Sequence, residues 1–285
     1  MSNSMSPWRT ALLTALALAA FAGNSLLCRA ALRDTAIDAA SFTAIRLASG
    51  ALALWLIVRA SARLRDASGA GSWPSALALF GYAIAFSFAY LSLTAATGAL
   101  LLFGAVQVTM ITVGLARGER LQPLQWAGFV LAFGGLIGLL LPGLSAPPLL
   151  GAALMIAAGI AWGIYSLRGK GAGDATRVTA GNFLRAAPLG LGAALLALPW
   201  LQVDAAGALY AVASGALTSG VGYAIWYAAL KGLRATSAAT VQLSVPVITA
   251  LAAVLLLAEP ITLRLVLASA AVLGGVALVV RLGGR

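Results

Sequence analysis

Apolar runs of about twenty residues recur along this chain, separated by short connectors. A helix rises about 1.5 Å per residue, so roughly 20 apolar residues are needed to cross the hydrocarbon core of a bilayer. Only 9% of the 285 residues are charged and 62% are hydrophobic, whereas about a quarter of residues are charged in a typical soluble domain. The sequence therefore predicts an all-α integral membrane protein.

The lengths of these runs predict ten transmembrane helices with little mass outside the membrane. The predicted spans are 10–28, 37–58, 75–93, 96–116, 123–141, 148–167, 178–200, 207–230, 236–257 and 262–281. The first run is similar to a signal peptide, but Leu27 precedes Cys28 where a lipoprotein site has a small residue, and further spans follow. We interpret it as a retained first helix.

The chain also contains an internal repeat. An offset of 140 residues aligns Glu119 with Glu259 and Gly134-Gly135 with Gly274-Gly275, and an offset of 141 aligns "GYAI" at 81 with "GYAI" at 222. The connector "KGLRAT" then corresponds to "LSLTAA" at 91–96, which we interpret as an uncharged turn between helices three and four. Each copy holds an odd number of spans, so residues 1–141 and 142–285 are predicted to be inverted repeats around a central cavity.

The distribution of Lys and Arg predicts the orientation, because cytoplasmic connectors are enriched in both residues. With a cytoplasmic N-terminus, thirteen of them fall in cytoplasmic segments and three, Arg29, Arg33 and Arg264, in outer loops. Both termini are therefore predicted to be cytoplasmic, in a bacterial inner membrane. This bias also explains most of the net charge of +11, so no nucleic-acid partner is expected.

Inverted repeats are typical of secondary transporters, whose substrate site lies near the membrane midplane between the copies. Four segments of the chain bear on which transporter family it resembles: "AFAGNSLLCRAAL", "SFTAIRLASGALAL", "ARGERLQPLQWAGFVLAFGGLIGLL" and "LLAEPITLRLVLASAAVLGGVALVV". Each half resembles an EamA-type repeat of the drug/metabolite transporter superfamily. The length and the aromatic inner helices are similar to those of bacterial aromatic amino acid exporters of the YddG type. The resemblance implies a basket of ten helices around a central cavity, with helices five and ten peripheral, and export as the direction of transport.

Aromatic and polar residues at helical spacing inside the spans are the candidate substrate-binding residues. In helix one, Phe21, Asn24, Ser25 and Cys28 form one stripe, and lipid does not favour an Asn. The candidates are Phe21, Asn24, Tyr82, Phe86, Trp162, Tyr165, Tyr223, Trp226, Gln242 and Ser244. Packing is the alternative role for these aromatic residues. Trp8, Trp55, Trp73, Trp126 and Trp200, near span ends, are predicted to form an interfacial belt.

Pro246 interrupts the predicted ninth helix. Proline has no backbone N–H, so the carbonyl of Gln242 loses its helical partner and forms a polar notch with Gln242 and Ser244. The notch fits a simple packing kink. It also fits a hinge for alternating access that offers hydrogen-bond acceptors to a substrate ammonium.

The placement of charged residues bears on coupling. No Asp or Glu falls at the middle of a predicted span, and carriers driven by protons commonly have one there. We therefore expect transport down the gradient of the substrate itself. Arg46 lies inside helix two, where the resemblance includes an arginine, and we favour a structural role over substrate contact. Glu119, Glu259 and the Gly-Gly pairs are expected to be architectural.

Three classes of function remain. The preferred one is a secondary transporter, a uniporter that exports small neutral amino acids, aromatic ones above all, by alternating access. The alternative within transport is export of lipophilic cations, drugs or other metabolites, and a lipid scramblase is a further possibility. A membrane enzyme is disfavoured because the chain has no His and one Cys. No cofactor or metal is expected, and the expected partners are the substrate, membrane lipid and, at most, a second copy in a weak homodimer.

Overall fold

The computed structural model describes residues 6–61, 70–118, 120–143, 145–169, 173–233, 238 and 241–282. Over these ranges the chain forms helices and no strand. The helices are α1 Pro7–Asp34, α2 Ala39–Ala60, α3 Trp73–Tyr90, α4 Ala95–Ala116, α5 Pro123–Leu140, α6 Leu149–Gly169, α7 Ala175–Leu196, α8 Ala205–Leu230, α9 Ser244–Leu257 and α10 Leu263–Leu282. Each falls on one predicted span. The uncharged turn predicted between helices three and four lies at residues 91–94.

Eight of the described helices are long and apolar enough to cross a membrane, which supports a multi-pass membrane protein. The exceptions are α7 and α9. Helix α7 has 22 residues but is less apolar, because it carries Asn182, Arg177 and Arg185. Helix α9 has only 14 described residues. The predicted count of ten spans therefore exceeds the number that length and composition support.

Helices α5 and α10 pack closely against each other at the side of the bundle. A Cβ atom on Gly128 would lie 2.6 Å from the carbonyl oxygen of Gly275, and one on Gly135 would lie 2.8 Å from Cβ of Ala271. Only glycine permits such an approach between backbones. The second glycine of each predicted pair therefore lies in this contact, whereas a Cβ on Gly134 or Gly274 would meet no atom within 4 Å.

Other contacts between helices follow a repeat. A contact made by one helix is also made by the helix five positions away in the chain. Helix α1 packs against α8 and α9, and α6 packs against α3 and α4. In the same way α2 packs against α8, and α7 packs against α3. Helices α2 and α7 contact each other, as do α5 and α10. Equivalent helices of the two halves thus pack against equivalent neighbours.

Two helices depart from regular geometry near the centre of the bundle. Within α8, residues Ala213–Val221 form a π-helix, a rare wider winding that is frequent at functional sites. Before α9, residues 241 and 242 are helical, Leu243 forms a turn, and the helix resumes at Ser244. Pro246 is therefore buried in the first turn of α9, and the interruption predicted from it lies at Leu243, on its N-terminal side.

The surface and the helix ends follow the expectations for a membrane protein. The five tryptophans predicted for an interfacial belt are all exposed, from 39% for Trp55 to 77% for Trp8. Asp38 and Asp174 cap the N-termini of α2 and α7 by accepting hydrogen bonds from backbone N–H groups. The carboxylates of the described residues thus lie at helix ends. Glu119 lies outside the described residues.

Candidate functional site

A cavity of about 490 Å³ lies at the centre of the bundle, between helices of both halves of the chain. Helices α1, α3, α4, α6, α7 and α8 line it, together with Gln242. No residue of α5 or α10 does so, in agreement with the peripheral position expected for them. The candidates from the sequence that line the wall are Phe21, Asn24, Tyr82, Trp162, Tyr165, Tyr223, Trp226 and Gln242.

Trp162 is the centre of the aromatic wall. The centroid of its ring lies 4.8 Å from that of Tyr82 and 5.2 Å from those of Tyr165 and Tyr223. These tilted contacts are in the range at which aromatic rings attract each other. The four rings come from α3, α6 and α8, so one side chain connects both halves of the bundle.

A polar group centred on Asn24 joins the cavity wall to the π-helix. The amide of Asn24 donates to the hydroxyl oxygen of Tyr82 at 3.0 Å, and its Oδ1 accepts from the hydroxyl of Ser214 at 2.7 Å. Thr218 lies 3.4 Å from the same oxygen. The wide winding of α8 carries Ser214 and Thr218, so it satisfies a buried amide that lipid could not.

Arg46 lies behind this group and is 1% exposed. Its Nη2 donates to the hydroxyl oxygen of Tyr82 at 2.8 Å, and its guanidinium carbon lies 5.1 Å and 4.8 Å from the ring centroids of Tyr82 and Phe86. Nη1 has no hydrogen-bond partner among the described residues. Arg46 does not line the cavity, so it contacts the wall only through other side chains.

A second polar group, from α6, α7 and α8, also belongs to the wall of the cavity. Asn182 donates to the hydroxyl oxygen of Tyr165 at 3.3 Å, and the hydroxyl of Thr179 donates to that of Tyr227 at 3.1 Å. Tyr165 and Thr179 lie 3.4 Å apart. All four residues line the cavity, which places a few polar groups on an otherwise apolar wall.

The two ends of the cavity differ. It extends to Gly169 and Ala175, at the connector between α6 and α7, and to Leu230, where α8 ends. We call this the open end. Toward the opposite end, Tyr82, Phe86 and Tyr90 stack along α3 with centroids 5.3 Å and 4.8 Å apart. All three are at most 3% exposed, so they fill the space that would continue the cavity, and we call this the sealed end.

An ion pair closes the sealed end. Arg29 Nε lies 3.0 Å from Glu259 Oε1, and its Nη1 donates to the carbonyl oxygen of Tyr90 at 2.9 Å. The other oxygen of Glu259 accepts from the backbone N–H of Ala95, the first residue of α4, at 2.7 Å. Ala258 has a left-handed φ of 51°, which ends α9 and turns Glu259 toward α4. Glu259 therefore lies at the N-terminus of α4, where the helix dipole favours a carboxylate.

Two of the predicted substrate-binding residues lie off the wall. Phe86 is fully buried behind Tyr82, and the hydroxyl of Ser244 donates to the carbonyl oxygen of Val241 at 2.6 Å. Lining residues that were not among the candidates include Ser25, Phe103, Met110, Thr179, Asn182, Thr218 and Tyr227. Tyr227 and Asn182 stand in the sequence as polar residues inside predicted spans, but spacing alone does not show which face of α7 or α8 turns inward.

The chemistry of the wall suits the binding of a small molecule. Aromatic rings, hydroxyls and amides line the cavity, and no Asp or Glu of the described chain does. The described residues contain no group of three His, Cys, Asp or Glu side chains that would hold a metal ion. The site therefore offers stacking surfaces and hydrogen bonds to a guest molecule.

Comparison with known proteins supplies a family. Residues 149–281 match the model of the EamA-like transporter family. An uncharacterized protein of Pseudomonas aeruginosa is 60% identical over 96% of both chains. An uncharacterized transporter of Archaeoglobus fulgidus is 29% identical over 85% of this chain and 87% of its own. A crystal structure aligns with 98% of this chain and 100% of its own chain at a TM-score of 0.66, and its 20% identity shows a shared fold alone.

Proposed function

Because the chain belongs to the EamA-like transporter family, we propose that it exports small neutral amino acids, aromatic ones above all, across the bacterial inner membrane by alternating access. Family membership gives a membrane transport role rather than an enzymatic one. The substrate class and the mechanism are the proposal.

The observation that carries the substrate class is the aromatic wall of the central cavity. Small-molecule sites commonly enclose about 300–1,000 Å³ and combine apolar walls with a few polar groups, and this cavity of about 490 Å³ has both features. Trp162 and Tyr223 offer faces on which an aromatic side chain stacks. The amides of Asn24 and Asn182 and the hydroxyl of Thr179 are placed to orient the polar end of the same molecule.

The different ends of the cavity support alternating access. In the predicted topology the connectors after α6 and α8 are cytoplasmic and Arg29 and Glu259 are outside, so the open end would face the cytoplasm. An exporter loads its substrate from that side. The recurrence of helix contacts five helices along the chain supports two inverted repeats, since exchanging the roles of the halves would seal the open end and open the sealed one.

The charges around the cavity support transport that is uncoupled from protons. A proton-coupled carrier commonly uses an intramembrane carboxylate as its coupling site. The described lining residues of this cavity include none, and Arg46, the cation buried behind the wall, is an arginine, a side chain that does not release its proton in proteins. The substrate would then move down its own gradient.

Uptake into proteoliposomes tests the proposal. Purified protein is reconstituted, and entry of labelled phenylalanine, tryptophan and threonine is measured with and without an imposed pH gradient. We expect saturable uptake that does not change with the pH gradient. Uptake that scales with the gradient, together with proton flux in fixed ratio to substrate, contradicts uncoupled transport.

Two tryptophan variants test whether the substrate binds at the aromatic wall. Trp162→Ala removes the ring that contacts Tyr82, Tyr165 and Tyr223, and we expect about tenfold weaker half-saturation for tryptophan, because each aromatic contact contributes about 0.5–1.5 kcal/mol. Trp126→Ala is the matched control, since Trp126 is 45% exposed on α5 and does not line this cavity. No uptake by folded protein would favour lipophilic cations or other metabolites as the substrate.

A further inference from the structure

The hydroxyl of Tyr82 is restricted to donating a hydrogen bond into the cavity. Its oxygen already accepts two hydrogen bonds, one from Asn24 Nδ2 at 3.0 Å and one from Arg46 Nη2 at 2.8 Å. A phenolic oxygen has one proton to donate besides the positions that accept. Within the described chain that proton meets no acceptor, and Tyr82 is part of the cavity wall.

The side-chain amide of Asn24 is hydrogen-bonded on both sides. Its Oδ1 accepts from the hydroxyl of Ser214 at 2.7 Å, which leaves the NH₂ group to face Tyr82. Arginine has donors only, so Arg46 cannot accept the Tyr82 proton in any arrangement. The amide and the guanidinium together hold the phenol as a donor.

Arg46 adds a positive charge directly behind this donor. Its guanidinium is 1% exposed, stacks on the rings of Tyr82 and Phe86, and leaves Nη1 without a hydrogen-bond partner in the residues described. The Asp and Glu side chains of the described residues lie at helix ends, so none of them neutralises the Arg46 guanidinium. A buried unpaired cation favours an anion in its vicinity.

From these contacts we propose that the cavity binds its ligand by an anionic oxygen, the carboxylate of an aromatic acid, which accepts a hydrogen bond from the Tyr82 hydroxyl. A hydrogen bond of that kind is about 2.7 Å long, so the bound oxygen would lie within roughly 5.5 Å of Arg46 Nη2, the sum of this length and the 2.8 Å observed. The hydrogen bond is strengthened because the guanidinium polarises the phenol that donates it. The proposal rests on the proposed transport function and specifies its head group.

The same contacts predict that the amino group of a substrate contributes less than its carboxylate. An ammonium ion would find neutral amide oxygens on the wall, such as that of Gln242, but the described lining residues provide no carboxylate to neutralise its charge. Its position near a buried guanidinium would also be repulsive. The chemical class recognised is therefore an aromatic carboxylate, with or without an amino group.

Three ligands with the same phenyl ring separate the contribution of the carboxylate from that of the amino group. Binding of phenylalanine, 3-phenylpropionate and 2-phenylethylamine to the purified full-length protein in detergent is measured by isothermal titration calorimetry. We expect 3-phenylpropionate to bind within about tenfold of phenylalanine, and 2-phenylethylamine to bind at least about tenfold more weakly than either, the ratio for one charge-assisted hydrogen bond. Equal or tighter binding of the amine, or no binding of 3-phenylpropionate, overturns the proposal.

A pair of tyrosine variants assigns the effect to Tyr82. Tyr82→Phe keeps the ring and its stacking but removes the hydroxyl, and we expect both carboxylates to lose about tenfold in affinity while the amine is unaffected. Tyr227→Phe removes another hydroxyl of the cavity wall, one that accepts from Thr179, and should leave the ranking of the three ligands unchanged. Equal losses for all three ligands in Tyr82→Phe, in protein with unaltered melting temperature, would contradict the assignment.

The outcomes distinguish this proposal from the transport proposal. Binding of 3-phenylpropionate without binding or uptake of phenylalanine would reject amino acid export and retain the carboxylate site. Uptake of phenylalanine that 2-phenylethylamine inhibits as strongly as 3-phenylpropionate does would retain export and reject the carboxylate site.

Discussion

Arg29 and Glu259 form an ion pair of 3.0 Å that joins the end of α1 to the connector between α9 and α10. The side chains are only 14% and 6% exposed. Each has a second partner on α3 or α4, the carbonyl of Tyr90 for Arg29 and the N–H of Ala95 for Glu259. Three helices and the connector between α9 and α10 therefore meet at two charged side chains at the sealed end of the cavity.

Neutralising this acid should favour opening of the sealed end. In Glu259→Gln the amide keeps one acceptor but loses the charge that holds Arg29, and removal of one partner of a buried pair is costly. Cys28, the only cysteine of the chain, is fully buried beside Arg29 and serves as the reporter. We expect an impermeant maleimide added on the side of the sealed end to label Cys28 at least about tenfold faster, which corresponds to a population shift of about 1.4 kcal/mol.

The control for this prediction is Asp34→Asn. Asp34 pairs with Arg33 at the same end of α1, but both side chains are exposed, and such pairs contribute little. Its labelling rate should match that of the parent protein. The same rate in Glu259→Gln, with transport intact, would show that the ion pair does not hold this end closed.

The contact between α5 and α10 predicts a difference between two adjacent glycines. A Cβ on Gly275 would lie 2.6 Å from the backbone nitrogen of Ala132, whereas one on Gly274 would meet nothing within 4 Å. Gly275→Val should therefore destabilise the fold by about 1–3 kcal/mol, the usual range for overpacking, and Gly274→Val should not. Melting temperatures in detergent measure both. Since α10 does not line the cavity, ligand affinity in the surviving folded protein should be unchanged.

The N-cap of α2 predicts a pH dependence of stability. Burial raises the pKa of Asp38, but hydrogen bonds from Ser41, Gln202 and Ala40 outweigh it and hold the pKa below its ordinary value. A carboxylate with a lowered folded pKa stabilises the fold above its unfolded pKa of about 3.9, and this contribution is lost as the pH falls through the folded pKa. We expect Asp38→Ala to lower the melting temperature at pH 7, by the loss of a cap of about 0.5–2 kcal/mol.

The difference between the parent protein and Asp38→Ala should then shrink below about pH 4. Melting curves of both proteins at pH 7 and at decreasing pH measure it. A difference that is as large at the lowest pH as at pH 7 would mean that the charge of Asp38 contributes nothing.

The interruption before α9 predicts a kinetic effect. Pro246→Ala restores a backbone N–H, so the carbonyl of Gln242 gains its helical partner and the turn at Leu243 is expected to become regular helix. If this turn is a hinge, the maximal transport rate should fall severalfold while the half-saturation concentration changes less. Pro188→Ala is the matched control, because Pro188 lies inside α7 with its side chain exposed. Equal rates in the parent protein and Pro246→Ala would assign the proline to packing.

Several features of the site were predictable because the spacing of residues along each helix was sufficient to show which of them share a face. The stripe of Asn24, Ser25 and Cys28 is buried, as its polarity indicated. Tyr82, Trp162 and Tyr223 line one cavity although they come from three helices. Aromatic and amide side chains in the middle of an apolar span have few favourable places other than protein contacts, so their position alone was informative.

Other features depended on partners that are remote in the sequence. Glu259 is 164 residues from Ala95 and 230 from Arg29, and no local pattern specifies that meeting. Phe86 has the same spacing as Tyr82 but lies behind it, because the rotation of α3 against its neighbours decides which face meets the cavity. The π-helix of α8 was not predicted, and its small residues contact α2 and Asn24, which are remote from it in the sequence.

The sequence by itself determined the membrane class, the approximate positions of the helices and the aromatic composition of their inner faces. These follow from hydrophobic length and from the cost of placing polar groups in lipid, which act on each segment separately. Tertiary structure decided which end of the cavity is sealed, which oxygen Arg46 contacts and which hydroxyl remains free to donate. Those depend on distances of a few ångströms between helices, and only the packing of all the helices fixes such distances.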